Sequence, residues 1–380
     1  MTRGRVVLFS NAPYFGGAEG YLVYLAQGLK PLGWDPIGLV PEGSCGAVLA
    51  GRFEKAGFPV EKFNHRHWTS PAGACDILKK LKQIDGEILH LNLPSPYEAL
   101  RNTVAFWGRL AGYRRVVATE HLPMSLRARR RALLKILLAP AIDAFIIMTR
   151  SGAEDLHRIH GIGQDKIVRI PYGIDPAPEV APAGRRDLLE GLKLPPETRL
   201  VGHVGRLTAR KGHRILLEAL AQEKEMLRDR RTAVLFIGEG EEEENLRRCS
   251  ETLVLNEFVH FMGHRENARN LIGLLDLLVL PSFVETQPFV ILEAMAAGIP
   301  VLSTMVYGIP DMVVHEVTGL LVEPGAIGPL GAALKRLLLE DETRIKMGRS
   351  GLERFNELFR MDRMAEKTER VYAAQNGVGL

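Results

Sequence analysis

Short apolar runs rich in β-branched residues alternate along the chain with longer segments of helical periodicity. The pattern predicts two series of strands, at residues 5–10, 36–40, 87–91, 115–119 and 145–148, and at 200–204, 233–237, 258–262, 277–280 and 300–303. A helical tail is predicted over 344–374, and the helices between strands include 212–225, 241–250 and 289–297. Strands that alternate with helices are typical of βαβ units, so an α/β fold with parallel sheets is predicted.

The two series are separated by residues 171–182, a proline-rich stretch without periodicity. A chain of 380 residues is also longer than one hydrophobic core usually supports. We therefore expect two doubly wound, Rossmann-like domains that face each other. The expected division is an N-terminal domain over 1–172, a linker over 173–198, a second domain over 199–355, and a C-terminal helix over 356–380 that packs back on the first domain.

Charge and composition indicate the cellular compartment in which the protein is expected. Residues 1–172 hold 23 Lys and Arg against 14 Asp and Glu, a net +9, whereas residues 173–380 hold 26 against 31, a net −5. Three cysteines form no C-x-x-C pair, which indicates a reducing compartment. No apolar run approaches the roughly 20 residues of a membrane span, and the run after the basic N-terminus is short for a signal peptide. A cytoplasmic location is therefore expected.

Glycines and cations follow the first strand of each series, at the sheet edge where open parallel sheets bind ligands. Gly16 and Gly17 form a turn before a helix, where backbone N–H groups can approach an anion. The loop that begins at Gly205 carries Arg206 and Lys211, which suit a diphosphate. A tight turn and a solvated basic loop are the simpler alternatives. Neither segment has the G-x-G-x-x-G or P-loop spacing, which argues against a dinucleotide or P-loop site.

The most specific pattern lies after the predicted strand 277–280. Glu285 follows that strand, and Glu293 lies about one turn into an apolar helix, where a carboxylate is costly unless it is hydrogen-bonded. Ionised carboxylates accept hydrogen bonds from vicinal hydroxyls, so the two glutamates suit a polyhydroxylated ligand. The alternative is that Glu293 caps or braces the helix.

Together these motifs resemble the retaining GT-B glycosyltransferases, and most closely glycosyltransferase family 4, also called group 1. In the second half the resemblance is carried by Val204-Gly-Arg-Leu-x-x-x-Lys-Gly212, the spacing of Glu285 and Glu293, the Leu-Glu-Ala-Met-Ala-x-Gly-x-Pro segment that ends before Val301, and Gly308-Ile-Pro-Asp311. In the first half it is carried by Gly16-Gly-Ala-Glu19, Thr119-Glu-His121 and Ile170-Pro-Tyr-Gly-Ile-Asp175. It spans almost the whole chain.

The resemblance implies transfer of a sugar from a UDP-sugar or GDP-sugar to an acceptor hydroxyl, with retention of the anomeric configuration. The donor-binding residues that it implies are Gly16, Gly17, Gly205, Arg206, Lys211, Glu285, Gln287, Phe289, Val290 and Glu293. Glu293 would bind the ribose hydroxyls and Glu285 the transferred sugar. The catalytic residues that it implies are His121, Arg206, Lys211 and Glu285. His121 would lie near the C6 hydroxyl of the sugar, and the alternative is a satisfied histidine at a strand end.

Departures from the family pattern affect the sugar pocket. They are Tyr307 in a turn that usually has two glycines, Asp311 in place of Glu, Thr286 in place of a smaller residue, and Pro288 in place of Gly. They leave open which hexosyl or N-acetylhexosaminyl group is transferred. No metal or other cofactor is expected, because the D-x-D/E-like triplet at 85–87 precedes a predicted strand.

The acceptor side is expected on the first domain. A predicted amphipathic helix there carries Arg127, Arg129, Arg130 and Arg131, which favours contact with an anionic membrane surface and a lipid-linked or polymeric acceptor. A small-molecule acceptor is a further alternative. A solvated basic face is the alternative, and nucleic acid is not an expected partner, because interleaved aromatic residues are absent. The function expected is glycosyl transfer in polysaccharide, lipopolysaccharide or glycolipid synthesis. A nucleotide-sugar epimerase and a catalytically silent binding protein are the alternatives.

Overall fold

The computed structural model describes residues 3–12, 15–64, 71–93, 103–121, 136–179 and 181–374. They form two compact units. The first comprises the chain up to Asp175 together with the residues from Phe359 on, and the second runs from Pro176 to Leu358. Each unit contains a parallel β-sheet accompanied by helices, which confirms the predicted α/β fold with two Rossmann-like domains.

The first unit is built around strands that are buried on both faces. Its elements are β1 (Gly4–Ser10), α1 (Gly17–Leu29), β2 (Trp34–Pro41), α2 (Ser44–Lys55), β3 (Val60–Phe63), α3 (Pro71–Ile84), β4 (Ile88–Leu93), α4 (Thr103–Leu110), β5 (Arg115–Glu120), β6 (Ala144–Ile147), α5 (Arg150–Arg158) and β7 (Ile167–Arg169). The strands pair in the order β3-β2-β1-β4-β5-β6-β7, all parallel. The order reverses between β1 and β4, which makes their carboxyl ends the switch point at which open α/β sheets bind ligands.

The second unit repeats this order. Its elements are α6 (Pro182–Gly191), β8 (Arg199–Val204), α7 (His213–Gln222), α8 (Lys224–Asp229), β9 (Thr232–Ile237), α9 (Glu243–Thr252), β10 (Val259–Gly263), α10 (Ala268–Ile272), β11 (Leu277–Leu280), α11 (Phe289–Ala296), β12 (Val301–Thr304), α12 (Ile309–Met312), β13 (Gly319–Val322), α13 (Ile327–Leu339) and α14 (Asp341–Leu358). The strands pair in the order β10-β9-β8-β11-β12-β13, all parallel, so the switch point lies between β8 and β11.

Each of the ten predicted strands overlaps an observed one, whereas the sequence pattern does not predict β3, β7 and β13. All three lie at an edge of their sheet and have only three or four residues. An edge strand is paired on one side only and is commonly short or charged. β3 and β7 accordingly include Glu61, Lys62 and Arg169.

The segment expected to be a linker, 173–198, contains a helix of the second unit. α6 begins at Pro182, a residue that suits the first turn of a helix because its missing N–H is not needed there. The side chain of Arg185 fastens α6 to the sheet, with bonds of 2.7 Å to Asp276 Oδ2 and 3.0 Å to the carbonyl of Thr198. The last proline of the proline-rich stretch therefore begins a helix, so the predicted linker is partly helical.

The C-terminal helix α15 (Met361–Ala373) completes the first unit. It packs closely on α1, since a Cβ atom on Gly28 would lie 2.6 Å from that of Ala365. Tyr372 at its end is fully buried, and its hydroxyl lies 2.5 Å from Nδ1 of His90 on β4. The end of the chain thus contributes to the core under β4.

Candidate functional site

Two loops meet at the switch point of the second sheet. The first follows β8 and includes a short 3-10 helix, Ala209–Lys211, and the second follows β11 and leads into α11. The N–H of Phe283 in the second loop donates to the carbonyl of Arg210 in the first, at 2.8 Å. The loops are therefore held together by their backbones as well as by side chains.

Gly212 allows this close approach. Its φ of 73° lies in the left-handed region, and a Cβ atom built on it would lie 2.0 Å from the carbonyl oxygen of Pro281. A larger residue would be strained in its backbone and would push the loops apart. The glycine of the Lys-Gly motif is thus required by geometry.

Lys211 and Glu285 form an ion pair across these loops. The Nζ of Lys211 lies 2.5 Å from Oε1 of Glu285, and Oγ of Ser282 donates to the same oxygen at 3.1 Å. The two side chains are only 12% and 8% exposed. A Cβ atom on Gly205 would lie 3.6 Å from Cε of Lys211, so the lysine passes close over that glycine. The structure thus brings three of the predicted residues, Gly205, Lys211 and Glu285, together.

Two stacked histidines, His203 and His213, pack beside the loop that carries Lys211 and bond to its backbone. The rings of His203 on β8 and His213 on α7 are 3.9 Å apart and nearly parallel, and both are buried. The carbonyl of Lys211 lies 3.3 Å from Nε2 of His203, which donates to it. Burial lowers the pKa of His213 to about 4 and that of His203 well below its ordinary value, so both rings are neutral at physiological pH. This pair was not predicted from the sequence, although His203 and His213 flank the loop that carries Lys211.

Glu293 is the fifth residue of α11 and is mostly buried. Within the described ranges, no donor hydrogen-bonds its carboxylate. Burial raises its pKa, and the attraction of Arg269 opposes that rise. The N-cap position of this helix is Pro288 and it has no side-chain cap there, so Glu293 does not cap it. An acceptor in such a place is available to hydroxyl donors of a ligand.

The other predicted residues of the second unit lie on the same two loops and at the start of α11. Arg206 is exposed on the β8 loop, and Gln287 is buried just before α11. Phe289 and Val290 open α11, where the first N–H groups of a helix have no carbonyl of that helix to bind. Tyr307 follows β12 with a φ of 41°, in the left-handed region that favours glycine, and is 44% exposed.

The predicted residues of the first unit, Gly16, Gly17 and His121, follow β1 and β5. Gly16 is the residue before α1, and its N–H donates to Oε2 of Glu19 at 2.9 Å. His121 directly follows β5 and is 4% exposed, with Nε2 bonded to Oδ1 of Asn92 and Nδ1 bonded to the hydroxyl of Tyr172. Both ring nitrogens are therefore occupied, as the alternative of a satisfied histidine requires.

Asn92 was not predicted as a functional residue, although the sequence of its strand contains a pattern that indicates one. β4 reads Ile-Leu-His-Leu-Asn-Leu, so His90 and Asn92 interrupt an otherwise apolar strand and are completely buried. Polar groups in such a strand need partners. Two such residues near the carboxyl end of the strand therefore indicate a network of buried hydrogen bonds.

The basic residues Arg127, Arg129, Arg130 and Arg131 lie outside the described residues. None of the helices described combines the length and apolarity needed to cross a membrane. In the described ranges there is also no group of three or more His, Cys, Asp and Glu side chains placed to hold a metal ion.

Comparison with known structures places the fold. Anabaena HepE, solved in complex with UDP, superposes with a TM-score of 0.83 at 20% identity and covers 97% of this chain and 99% of its own. Its complex with UDP-glucose gives a TM-score of 0.80 at 22% identity, with 98% and 100% covered. The two sheets, their strand order and this likeness define the fold of the GT-B class.

Family models match both units. Residues 185–354 match "Glycosyl transferases group 1" and residues 15–178 match "Glycosyltransferase Family 4". The D-inositol 3-phosphate glycosyltransferase of Corynebacterium glutamicum (strain R) is 31% identical over 221 residues, or 56% of this chain and 52% of that protein. The N-acetyl-alpha-D-glucosaminyl L-malate synthase of Bacillus anthracis is 32% identical over 139 residues, or 37% and 36%. These matches span about half the length of their relatives or less. The chain belongs to the group 1, family 4 glycosyltransferases.

Proposed function

We propose that the protein transfers a hexosyl or N-acetylhexosaminyl group from a nucleoside-diphosphate sugar to an acceptor hydroxyl, with retention of the anomeric configuration. Family membership supports the reaction class. UDP and UDP-glucose in the Anabaena complexes support a nucleotide-sugar donor, and the names of the relatives support sugar transfer.

The observation that carries the proposal is Glu293. A mostly buried carboxylate without a hydrogen-bond donor is costly in the free protein, and it becomes favourable when vicinal hydroxyls of a ligand donate to it. It lies on the helix that follows the Glu285 loop, whose own carboxylate is held by Lys211. We assign Glu293 to the ribose of the donor and Glu285 to the transferred sugar.

The chemistry follows from charge. The bond between the anomeric carbon and the diphosphate oxygen breaks, the acceptor oxygen bonds to that carbon, and the acceptor's proton passes to the leaving oxygen. Negative charge thus develops on the diphosphate while the sugar becomes cationic. Lys211, held by Glu285, and the exposed Arg206 are cations on the β8 loop, and the first turn of α11 adds N–H donors, so charge is stabilised where it develops. We propose that no metal is needed, which requires undiminished transfer in the presence of EDTA.

Release of the nucleoside diphosphate tests the assignment. The protein is incubated with UDP-glucose, UDP-N-acetylglucosamine and GDP-mannose, with and without acceptor mixtures, and the free diphosphate is measured. We expect one donor to be consumed by the wild type. We expect Glu293→Gln to raise the donor KM by roughly tenfold or more, because a charged acceptor of hydrogen bonds is lost.

The matched control is Glu218→Gln, which removes a carboxylate that pairs with Arg214 on the exposed face of α7. Its turnover should equal that of the wild type. Equal KM values for the wild type and Glu293→Gln would contradict the assignment. The absence of release from every donor would instead support the silent binding protein.

A nucleotide-sugar epimerase is the second candidate. It has the same fold class but yields an altered sugar without needing an acceptor hydroxyl. Analysis of the released sugar by NMR separates the two, and the same spectra report whether the anomeric configuration is retained.

We further propose that the acceptor is a lipid-linked saccharide or polysaccharide. Flotation with anionic vesicles tests the membrane contact, by comparison of the wild type with a variant in which the cations at 127–131 are neutralised.

A further inference from the structure

Four buried polar side chains form a continuous chain of hydrogen bonds in the first unit. The hydroxyl of Tyr172 bonds Nδ1 of His121, and Nε2 of His121 bonds Oδ1 of Asn92. Nδ2 of Asn92 lies 3.4 Å from Oε1 of Glu19, whose Oε2 accepts the N–H of Gly16 at 2.9 Å. Each of the four side chains is at most 4% exposed. We call this chain the Glu19 relay.

The relay joins the ends of four strands at the ligand-binding edge of the first sheet. Glu19 lies in the first turn of α1, after β1, and Asn92 lies near the end of β4. His121 follows β5, and Tyr172 follows β7. The contact between Glu19 and Asn92 therefore spans the switch point itself.

The relay has a fixed direction because the Gly16 N–H can only donate and the carboxylate of Glu19 can only accept, whereas the hydroxyl of Tyr172 at the other end can do either. The backbone N–H of Gly16 cannot turn round, so Oε2 of Glu19 must accept, and the second carboxylate oxygen accepts from the amide nitrogen of Asn92. The amide oxygen of Asn92 then faces His121 and requires a donor. Burial, with a contribution from His90, lowers the pKa of His121 to about 3, so the ring is neutral and carries one proton. That proton lies on Nε2, and Nδ1 accepts from Tyr172.

We propose that Glu19 and Asn92 are positioning residues that hold His121 as its Nε2–H tautomer, so that the imidazole can offer a ligand hydroxyl only the acceptor Nδ1. A sugar hydroxyl that displaces Tyr172 would donate to Nδ1, and His121 would not protonate it. Glu19 also holds the Gly16 turn, so the same carboxylate fixes two predicted elements of the first unit. The consequence for turnover rests on the proposed function, but the tautomer does not.

Glu19→Gln tests the direction of the relay. The introduced amide must accept the Gly16 N–H with its oxygen, so its nitrogen faces Asn92. The Asn92 amide must then turn over and present its nitrogen to Nε2 of His121. The proton of His121 is thereby expected to move to Nδ1, which donates to the oxygen of Tyr172. One substitution of nearly equal volume thus reverses the three bonds between the side chains of the relay, while the Gly16 N–H still donates to residue 19.

Nitrogen chemical shifts of isotope-labelled histidine report the tautomer directly, with the His121 signal assigned by its loss in His121→Gln. We expect an Nε2–H signal in the wild type and an Nδ1–H signal in Glu19→Gln. The His90 signal serves as internal reference, since that ring bonds Tyr372 and Thr119 instead. Glu218→Gln is the matched control and should leave His121 unchanged. The same tautomer in the wild type and in Glu19→Gln would overturn the proposal.

Asn92→Leu keeps the result decisive if Glu19→Gln does not fold. An apolar side chain of similar volume removes the acceptor of the Nε2 proton and leaves only the hydroxyl of Tyr172, which can donate or accept, so the share of the Nδ1–H tautomer is expected to rise above that of the wild type. An unchanged share would overturn the proposal. In transfer assays Glu19→Gln should lower kcat roughly tenfold, because Nδ1 of His121 then carries the proton and can no longer accept a hydrogen bond from the sugar hydroxyl. An unchanged kcat with a moved proton would overturn the positioning role. A wild type without any transfer would refute the proposed function and leave the tautomer result standing.

Discussion

The Nζ of Lys211 lies 2.5 Å from Oε1 of Glu285, across the point where the strand order of the second sheet reverses. A cation and an anion that are each about nine-tenths buried need a partner, and here each is the other's partner. A bound diphosphate would give Lys211 a second anionic contact. The ion pair with Glu285 therefore holds the ammonium group of Lys211 in the position where a diphosphate would contact it.

Lys211→Met tests how much the free protein depends on this pair. The substitution leaves the carboxylate of Glu285 with the hydroxyl of Ser282 but without its cation, and we expect a loss of about 1–3 kcal/mol in the free energy of unfolding. Urea unfolding monitored by circular dichroism measures it. Arg214→Met breaks an exposed pair and should change stability little. Equal losses in the two variants would show that the Lys211 pair is not special.

Glu293→Gln should separate stability from binding. Burial raises the pKa of Glu293 above its ordinary value of 4.5, so at neutral pH the folded state holds a poorly solvated charge that the unfolded state does not. The variant is therefore expected to unfold at a higher temperature than the wild type near pH 7. Its advantage should shrink as the pH falls through the raised pKa and should vanish below about 4.5, where both states are protonated.

Thermal unfolding at several pH values measures this dependence, with Glu218→Gln as the control that should show no such trend. The same Glu293→Gln variant should bind the donor more weakly. A variant that is less stable than the wild type at neutral pH would argue that Glu293 braces the helix after all.

Gly212→Ala should damage the site through the backbone. A Cβ atom at this position meets the carbonyl oxygen of Pro281 at 2.0 Å, and the φ of 73° adds strain of about 1 kcal/mol. We expect a loss of roughly 2–4 kcal/mol in stability and a large loss of donor binding, because the loops must separate. Gly328→Ala is the control, since nothing lies within 4 Å of its Cβ position. Similar behaviour of the two variants in chemical denaturation and binding would contradict the role given to Gly212.

Val254→Gly should stabilise the protein. Val254 follows α9 with a φ of 52°, and the N–H groups of Val254 and Leu255 donate to the carbonyls of Glu251 and Ser250, the pattern of a Schellman helix end. This position favours glycine, and the valine side chain is 70% exposed, so little packing is lost. The gain expected is about 1 kcal/mol. Val254→Ala keeps the Cβ atom and should gain much less, so an equal rise in melting temperature would rule out backbone strain as the cause.

Much of the fold was predictable because central strands bury both faces and read as apolar runs. The edge strands β3, β7 and β13 were not, since short, half-exposed strands lack that pattern. The candidate site of the second unit was predicted from Lys211 and Glu285, which follow strands, and from Glu293 on the next helix; the structure brings Lys211 and Glu285 together. The bond from Phe283 to Arg210 could not be predicted, because it joins backbone groups that are distant in sequence. The partners of His121 lie 29 and 51 positions away along the chain, and no local pattern encodes such contacts.

The proposed function depends most on Lys211, which we expect to bind the diphosphate of a nucleotide-sugar donor. Isothermal titration of UDP and GDP into the wild type, Lys211→Ala and Arg214→Ala tests it most directly. The two variants each remove one positive charge from the β8–α7 region, so they share any long-range electrostatic effect. We predict that Lys211→Ala binds the preferred nucleotide roughly 10- to 100-fold more weakly than the wild type, whereas Arg214→Ala binds it equally well. Equal affinity of Lys211→Ala and the wild type would show that Lys211 does not bind the diphosphate.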